Sequence, residues 1–502
     1  MVSESKVGHR LAEVPAPEMT TYMVGPRIQE DLANNFAAMT ANNLAHVVML
    51  ARQGIIDRGA ARALLMAVED IRKEGPGKLP LDLEREDLYF NYEHAVITRV
   101  GPDIGGQMHT GRSRNDLGAA VTAVRFRRLV MAMVDGALAT RAALLELASL
   151  HLNTVMPGYT HLQPAQPITL AHYLTAVEAG LSRDTDRLLA ALLRANRSPM
   201  GAAALAGTGY PIDREMTAEL LGFDSVSVNT LDCVASRDYL LEALAAAAIM
   251  GTTLSRFAQD LYVWYTNEFG MIDFRDRVTG TSSIMPQKKN PILLENIRGR
   301  TAHALGAFTA AVAGIRSTPY TNTVDGNREA LHGAWSALEE SRISLDLAKL
   351  AVENLVVRKE LMTERCQTNF STVTELADTL VTEWGISFRQ AHEIVGGVVR
   401  TCLEKGLGVK DIDGALVSKV ALDDEGISKA VSTAVVRKAL DPVENVRVRS
   451  HPGGPAPDAV RAMIKTAEAG VLGHREALSS FRQRLQTREA KLASRVRELC
   501  EA

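Results

Sequence analysis

Three short polar segments interrupt a chain in which Ala, Leu, Glu and Arg are otherwise frequent. We call them the arginine segment (GGQMHTGRSRND, 105–116), the histidine segment (MPGYTHLQPAQPITLAHYL, 156–174) and the serine loop (GTSSIMPQKKNP, 280–291). Each concentrates hydroxyl, amide, imidazole or cationic groups within a short stretch. Groups of these kinds can bind an anion and move a proton on it, so the sequence predicts acid–base chemistry.

The arginine segment precedes a long helical stretch and permits two interpretations. In one, Ser113 or Asn115 caps the helix and Asp116 lies at the positive end of the helix dipole. In the other, the guanidinium of Arg112 and the neighbouring hydroxyl and amide groups bind a carboxylate beside the helix N-terminus. Both interpretations stay open on this segment alone.

The histidine segment places several hydrogen-bonding side chains in a Pro-rich turn between apolar stretches. A lone histidine such as His161 is more often structural than catalytic in such a turn. Thr160, Gln163 and Gln166 nevertheless lie beside it, and buried polar groups without partners are costly. The turn therefore either serves structure alone or meets a ligand.

The serine loop is denser in polar groups than a connector between helices requires. As a connector it would use Ser282 or Ser283 as a helix cap and leave its lysines in solvent. Its composition fits better a mobile loop that carries a base or nucleophile and a cation for developing negative charge. The residues concerned are Ser282, Ser283, Met285, Gln287, Lys288 and Asn290.

Long helices must position these segments. Four stretches of about 25 to 40 residues carry helical periodicity without an internal proline, against a mean helix of about 11. They are Leu117–Met156, Thr169–Asn196, Leu231–Glu268 and Pro291–Ile315. Helices of this length are usually members of a bundle, so the sequence predicts an elongated all-α protein.

The stretches on either side indicate three domains. Residues 34–71 are predicted to form two helices broken at Gly54, with Asp57 as the cap of the second. We predict an N-terminal helical domain (1–112), a central bundle (113–360) and a small C-terminal helical domain (361–502). The tail has apolar residues at helical spacing, which either pack on the same chain or form a seam to another subunit. They are Leu478, Phe481, Leu485, Leu492, Val496 and Leu499.

Composition excludes several classes of protein. The 502 residues carry a net charge of −3, so no basic excess favours nucleic acid. The four cysteines are scattered and lack metal-site spacing. No phosphate-binding glycine motif, secretory leader or membrane-spanning stretch is indicated. We expect a soluble, cytoplasmic protein without a metal site or nucleotide cofactor.

In this order and at these intervals, the three segments resemble those of the argininosuccinate lyase branch of the fumarase/aspartase superfamily. The resemblance extends through SPMGAAALAGTGYPIDRE (198–215), NTLDCVASRDYLLEAL (229–244) and HPGGPAPDAV (451–460). It implies a homotetramer built on a 20-helix core, with each active site assembled from three subunits. It also implies elimination of fumarate from a succinyl-type substrate with no metal or organic cofactor.

The resemblance implies a role for each segment. Ser282 would remove the proton, while Lys288 and Asn290 hold the carboxylate on which negative charge grows. His161, with Thr160, would serve proton transfer at the leaving nitrogen. The remaining residues would bind the substrate: Arg112, Ser113, Asn115, Ser283, Met285, Tyr320, Asp325 and Arg328.

The chain departs from argininosuccinate lyases where the amine portion of the substrate is expected. Residues 22–36 (YMVGPRIQEDLANNF) lack their WGGRF and FNAS-like stretches. Asp325 replaces a glutamine, Arg328 a lysine and Tyr89 a histidine, and Thr281 replaces the glycine before the two serines. Because the groups for fumarate are intact, these changes predict a different amine and an unchanged reaction type.

These departures leave several hypotheses. The first is a C–N lyase acting on an N-substituted aspartate, such as an aminopolycarboxylate of the ethylenediamine-disuccinate kind. The alternative is cleavage of argininosuccinate to arginine and fumarate. A catalytically silent relative, like the lens proteins recruited from this family, and a helical scaffold that recruits partners are further alternatives.

Overall fold

The computed structural model describes residues 13–501. Residues 1–12 and Ala502 lie outside the described residues, and with them the ends of the first and third predicted domains and the first part of the N-terminal stretch (1–22) in which no leader was predicted. Helices dominate the rest, and the predicted all-α class is confirmed.

The N-terminal part is a group of helices joined by short turns. The predicted break at Gly54 is confirmed, and the Asp57 carboxylate caps the following helix by accepting a hydrogen bond from the Ala60 N–H at 2.8 Å. Its helices, including short 3₁₀ and π turns, are Pro17–Met19, Thr20–Val24, Gly25–Arg52, Arg58–Glu74, Pro76–Lys78, Leu83–Arg85, Leu88–Val100, Pro102–Gly105 and Gly106–His109.

Five long helices form the centre of the molecule. We number them in chain order as the first (Arg114–Leu150), second (Leu170–Arg194), third (Asp238–Tyr265), fourth (Ile292–Ile315) and fifth (Ala334–Glu353) long helices. They share one hydrophobic core with fully buried leucines throughout. Small residues allow close approach: a Cβ at Gly251 on the third helix would lie 3.0 Å from the backbone oxygen of Thr301 on the fourth.

Two predicted helix boundaries were wrong. The first long helix ends at Leu150 rather than Met156, because Val155–Thr160 is a strand. The stretch predicted as one helix from Leu231 is two, Thr230–Ala235 and the third long helix, with extended backbone at Ser236 between them. A further short helix, Arg214–Leu220, lies before this break.

The strands are short and pair two by two. Val155–Thr160 pairs antiparallel with Gln163–Thr169, and we call this unit the hairpin. Gly280–Thr281 pairs antiparallel with Lys289–Asn290 across the serine loop. The other pairs are Arg197–Ser198 with Ser225–Val226, parallel, and Ile272–Phe274 with Leu355–Val357, antiparallel.

The C-terminal helices build a separate hydrophobic cluster around Leu376, Leu380, Ile394 and Val398. The helices of this cluster are Val373–Trp384, Phe388–Glu404, Val409–Asp411, Gly414–Glu425 and Thr433–Ala439. The helices before and after them in sequence, Lys359–Gln367 and Pro442–Val448, bury Met362, Cys366 and Val446 in other clusters. Short turns of helix at Asp276–Val278, Val324–Asn327 and Glu329–Leu331 lie in the loops before them.

The last helix, Pro457–Glu501, packs on its own chain, as one of the two interpretations of the tail predicted. It has 45 residues and therefore spans about 68 Å. Phe481 lies in the core of the long helices and Val496 in the N-terminal core. The helix thus packs on the first two parts of the chain, although the predicted domain division placed it in the C-terminal domain. The domain boundaries themselves stay predictions.

By length and composition alone, one helix among residues 13–501 could cross a membrane. It is the third long helix, with a mean hydropathy of 1.3 over its most apolar window and half of that window buried. Its buried residues, such as Leu254 and Leu261, lie in the central core, as expected of a core helix.

Candidate active site

The arginine segment is built around the start of the first long helix. The Ser113 hydroxyl accepts a hydrogen bond from the Asn115 N–H at 3.3 Å, and the Asp116 carboxylate accepts one from the Ser113 N–H at 3.0 Å. Its second oxygen accepts hydrogen bonds from the N–H groups of Gly201 and Ala203 at 3.0 and 2.9 Å. Asp116 is fully buried, and this burial raises its pKa although the hydrogen bonds oppose the shift. Asp116 therefore ties the helix start to the 199–204 loop.

Arg112 is enclosed rather than open to a ligand. Its side chain is buried, donates from Nη2 to the Tyr89 hydroxyl at 3.2 Å and lies 5.2 Å from the centroid of the Tyr89 ring. Its Nε and Nη1 are buried without a hydrogen-bond partner among the described residues. In this conformation Arg112 holds the arginine segment against Tyr89. Its predicted contact with a carboxylate of the substrate stays a prediction.

Tyr89 joins Arg112 to two titratable groups. Its hydroxyl donates to Glu93 Oε1 at 3.0 Å and lies 2.7 Å from His109 Nδ1. Burial, together with the charges of Arg112 and Arg114, lowers the pKa of His109 to about 4, so the imidazole is neutral near pH 7. A hydroxyl has one proton and two lone pairs, so His109 carries its proton on Nδ1 while Glu93 is ionised.

Asn115 begins a chain of amides. Its Nδ2 donates to the carbonyl of Ala204 at 3.0 Å, and its Oδ1 accepts from Asn322 Nδ2 at 2.7 Å. Asn327 Nδ2 in turn donates to Asn322 Oδ1 at 2.6 Å and lies 3.1 Å from the carbonyl of Val234. The segment 320–328 is thereby held beside the start of the first long helix.

The predicted substrate contact Tyr320 and two of the predicted contacts for the amine portion, Asp325 and Arg328, lie on this same segment and face solvent. Tyr320 is 67% exposed and donates its hydroxyl to the Asp232 carboxylate, which raises the tyrosine pKa. Asp325 and Arg328 are also exposed. Hydrogen bonds from Thr323 and from the Gly326 N–H lower the pKa of Asp325, so it is an anion near pH 7.

The hairpin presents His161 at its tip. Thr160 pairs with Gln163, and the two turn residues between them, His161 and Leu162, have φ values of 53° and 57°. Two positive φ values in a two-residue turn match the twist of the strands, although they are uncommon for residues other than glycine. Thr160 and His161 are exposed, so the imidazole is available to a group outside the hairpin.

The serine loop is an exposed turn between two short strands. The Ser282 hydroxyl oxygen accepts hydrogen bonds from the N–H groups of Ile284 and Met285 at 3.3 and 3.0 Å. Asn290 Nδ2 donates to the carbonyl of Thr281 at 3.3 Å, which closes the base of the loop. The N–H groups of Ile284 and Met285 favour negative charge on Ser282 Oγ.

The two lysines of the loop differ in their surroundings. Lys288 is exposed and takes part in none of the ion pairs found among residues 13–501. Lys289 lies 3.1 Å from Asp273 and 2.9 Å from Asp276. Ser283 and Met285 are exposed in the same loop, so the loop carries two serines and one lysine that is unpaired among the described residues.

Within one chain the predicted site residues form two groups that lie far apart. The third long helix has 28 residues and spans about 42 Å. Near its start, Asp232 contacts Tyr320 and thereby the group that includes Asn115. At its end, Tyr265 donates to the Lys289 carbonyl, and the hairpin lies at this end too because the Tyr159 hydroxyl contacts Met271.

Sequence reasoning missed some residues of the site. Asn322 and Asp232 were not identified as members, although Asp232 lies in the stretch 229–244 that carries the family resemblance and Asn322 lies two residues after Tyr320. The attachment of Lys289 to Asp273 could not be found from the sequence, because the two residues belong to different strands.

Comparison with known proteins gives end-to-end matches. The model of a family described as lyase matches residues 23–306, and that of the argininosuccinate lyase C-terminal family matches residues 370–447. Argininosuccinate lyase 1 of Shouchella clausii is 40% identical over 478 residues, covering 95% of this chain and 96% of the relative. The argininosuccinate lyase of Haloarcula marismortui is 42% identical over 452 residues, covering 89% and 88%.

Solved structures agree. EDDS lyase in complex with formate superposes with a TM-score of 0.87 at 33% identity, covering 97% of this chain and 96% of the other. A fumarate lyase from Mesorhizobium sp. BNC1, at 18% identity and a TM-score of 0.71, covers 88% of this chain and 97% of the other and supports the fold alone. The fold and site thus define a lyase of the fumarase/aspartase superfamily.

Within that superfamily the chain belongs to the argininosuccinate lyase branch. It is a C–N lyase that releases fumarate. The predicted family and reaction class are confirmed.

Proposed function

We propose that this lyase cleaves argininosuccinate into arginine and fumarate. The observation that carries the proposal is the match along 95% of the chain to argininosuccinate lyase 1 of Shouchella clausii, at 40% identity. The comparisons thus favour argininosuccinate, the alternative hypothesis from the sequence, over an aminopolycarboxylate, the first hypothesis. The serine loop supplies the chemistry, because Ser282 Oγ receives two backbone N–H groups beside the unpaired Lys288.

The proposed reaction begins with loss of a proton next to a carboxylate of the succinyl group. A serine hydroxyl is a weak base unaided, and the N–H groups of Ile284 and Met285 together with the Lys288 charge favour its alkoxide form. The electrons of the broken C–H bond collect on the neighbouring carboxylate, where Lys288 and Asn290 would stabilise them. They then expel the nitrogen on the adjacent carbon, and fumarate forms.

The other residues would orient the substrate and complete proton transfer. His161 would supply the proton to the leaving nitrogen, with Thr160 beside it. Ser113 and Asn115 would hold the carboxylates so that the C–H and C–N bonds are aligned for elimination. Arg112 would support this segment through Tyr89.

A second candidate substrate is an aminopolycarboxylate of the ethylenediamine-disuccinate kind. Its support is the replacement of predicted amine contacts, with the anionic Asp325 in place of glutamine and Arg328 in place of lysine. The 33% identity to EDDS lyase over 97% of this chain adds to it.

The absorbance of fumarate in the near ultraviolet tests both candidates. We expect it to rise when the protein is mixed with argininosuccinate and to fall when fumarate is mixed with arginine. Loss of fumarate with ethylenediamine or another amine but never with arginine would support the second candidate and contradict the first. No change with any amine would point to a catalytically silent relative.

The proposal includes a homotetramer whose sites are shared by three subunits. Its support is the separation of the two groups of site residues, which one chain cannot close over one substrate. The fourth long helix adds support, since no Asp, Glu, Lys or Arg occurs from Thr301 to Ile315 and Leu305 is 59% exposed. Light scattering measures the mass of the assembly, and a monomer that releases fumarate would contradict the proposal.

A cytoplasmic location remains an expectation.

A further inference from the structure

The serine loop is anchored unevenly at its two ends. On its outgoing side, Lys289 Nζ donates to Asp273 Oδ1 at 3.1 Å and to the Phe274 carbonyl, and it lies 2.9 Å from Asp276 Oδ1. On its incoming side, Thr281 is held by the pairing with Lys289 and by the Asn290 amide. The side chain of Lys289 is thus the main tether between the serine loop and the strand Ile272–Phe274.

The main chain of Lys289 is fixed as well. The Tyr265 hydroxyl, in the last turn of the third long helix, donates to the Lys289 carbonyl at 3.0 Å. Because both the side chain and the backbone of one residue are held, the register of the outgoing strand is set. Lys288 directly precedes this strand and is bound in the turn through its N–H to the Met285 carbonyl at 3.0 Å, so fixing Lys289 limits where Lys288 can lie.

Asp273 is the stronger of the two carboxylate partners. Its side chain is 30% exposed, whereas that of Asp276 is 96% exposed, and exposed ion pairs contribute little. Partial burial opposes ionisation of Asp273, but the Phe274 N–H and the Lys289 ammonium outweigh it and lower the pKa of Asp273. Asp273 Oδ2 also lies 3.4 Å from Arg358 Nη2, beyond the paired strand Leu355–Val357.

We propose that Asp273 and Lys289 are positioning residues that set which lysine of the serine loop reaches the substrate. With Lys289 held by Asp273, Lys288 is the unpaired cation beside Ser282. Without the tether the loop loses its register, and where Lys289 is kept without Asp273 both ammonium groups also compete for the substrate carboxylate. The inference rests on the roles of Ser282 and Lys288 in the elimination and holds for either candidate amine.

The test compares Lys289→Met, Asp273→Asn and the double variant. We expect each single variant to lower kcat by about 10- to 100-fold with a smaller change in KM, because misplacement by about 1 Å can cost this much. The double variant should be no slower than the worse single variant, since one tether has been removed in every case. Losses that multiply in the double variant overturn the proposal.

A readout without substrate separates this inference from the proposed function. Ile284 is 83% exposed in the loop, and thermolysin, which cuts before apolar residues, should cleave there faster in Lys289→Met than in the unaltered protein. The matched control is Lys349→Met, which removes a half-exposed lysine paired with Glu353 on the fifth long helix. Unchanged cleavage, or a loss of kcat no greater than in the control, overturns the proposal.

Lys289→Arg guards against a variant that fails to fold. Arginine keeps the positive charge and can still bridge to Asp273, so we expect it to restore most of kcat and the slow cleavage. An Arg variant that folds but behaves like Lys289→Met would show that charge pairing is not what holds the loop, and this result also overturns the proposal.

Discussion

The acid–base reactivity of individual hydroxyl and imidazole groups in this lyase depends on the hydrogen bonds around them. Ser282 Oγ receives N–H groups two and three residues ahead of it, an arrangement that any serine in a tight turn can adopt. What distinguishes it is the unpaired Lys288 in the same exposed loop. Charge that develops on the hydroxyl would therefore meet two N–H groups, and Lys288 supplies an ammonium from the same loop.

Replacing Ser282 by alanine should remove the base and leave the fold intact. We expect fumarate release to fall by about 100- to 10,000-fold, the usual worth of a positioned acid or base. The measurement is the rise of fumarate absorbance at saturating substrate. Ser283→Ala is the matched control and should lose far less; equal losses in the two variants would show that the base had been assigned to the wrong serine.

His109 should make stability depend on pH in mildly acidic solution. Its pKa is about 4 in the folded protein against an ordinary value of 6.5, so between these values the unfolded chain binds more protons than the folded one. Stability therefore falls as the pH drops from 6.5 towards 4. Because the side chain is 38% exposed, we expect a contribution of only about 1 kcal/mol.

The measurement is the thermal midpoint at pH 7 and pH 5 for the unaltered protein and His109→Gln. The variant should lose less stability between the two values, since glutamine does not titrate. His392→Gln, at a side chain that is 61% exposed, should behave like the unaltered protein. A pH dependence identical in all three proteins would contradict the assigned pKa.

At the scale of elements, short connections rather than the long helices position the chemistry. Asp116 fastens the first long helix to the 199–204 loop, and two amides, Asn115 and Asn322, fasten the helix to the 320–328 segment. His161 lies in the two-residue turn of the hairpin, between the paired strands Val155–Thr160 and Gln163–Thr169. The first two connections join stretches that are distant in sequence.

Asp116→Asn should test the first of these connections. The amide would turn an N–H₂ group towards donors that now face a carboxylate, so we expect a loss of about 2–4 kcal/mol in stability. Ser113→Ala, which removes only the cap, should cost about 1 kcal/mol. Urea unfolding followed by fluorescence compares the two. A cost for Asp116→Asn no larger than that of the cap would show that the 199–204 loop is held by other contacts.

The sequence predicted the elements whose signals are local and missed those that depend on distant partners. The second long helix, Leu170–Arg194, lies within the predicted stretch 169–196 because its apolar residues recur at helical spacing. The first was extended too far, since Leu152, Val155 and Met156 continue that spacing although Leu152 lies in a turn and the other two belong to the hairpin. Ser282 and Lys288 could be predicted from the loop itself. The attachment of Lys289 to Asp273 required the fold.

At the scale of the whole molecule, the proposed oligomer would bring together two groups of site residues that lie far apart in one chain. Asn115 and Tyr320 lie near one end of the third long helix, and Ser282 and His161 lie near the other, about 42 Å away. Rigid helices do not shorten to close such a gap. A second copy that runs antiparallel, however, would place its serine loop beside the Asn115 end of the first.

Sharing of sites between subunits predicts recovery of activity when two inactive variants are combined. Asn115→Ala disables one end of each chain and Ser282→Ala the other, so a mixed oligomer contains sites with neither change. If the two groups of a site come from different subunits, random assembly of equal amounts leaves about a quarter of the sites intact. We therefore expect the co-expressed variants to release fumarate at about a quarter of the unaltered rate.

The control co-expresses Ser282→Ala with the Asn115→Ala/Ser282→Ala double variant, in which no site has an intact serine, and it should stay inactive. Tagging the two chains separately shows whether mixed oligomers form, and mixed oligomers without activity would mean that each site is built from a single chain.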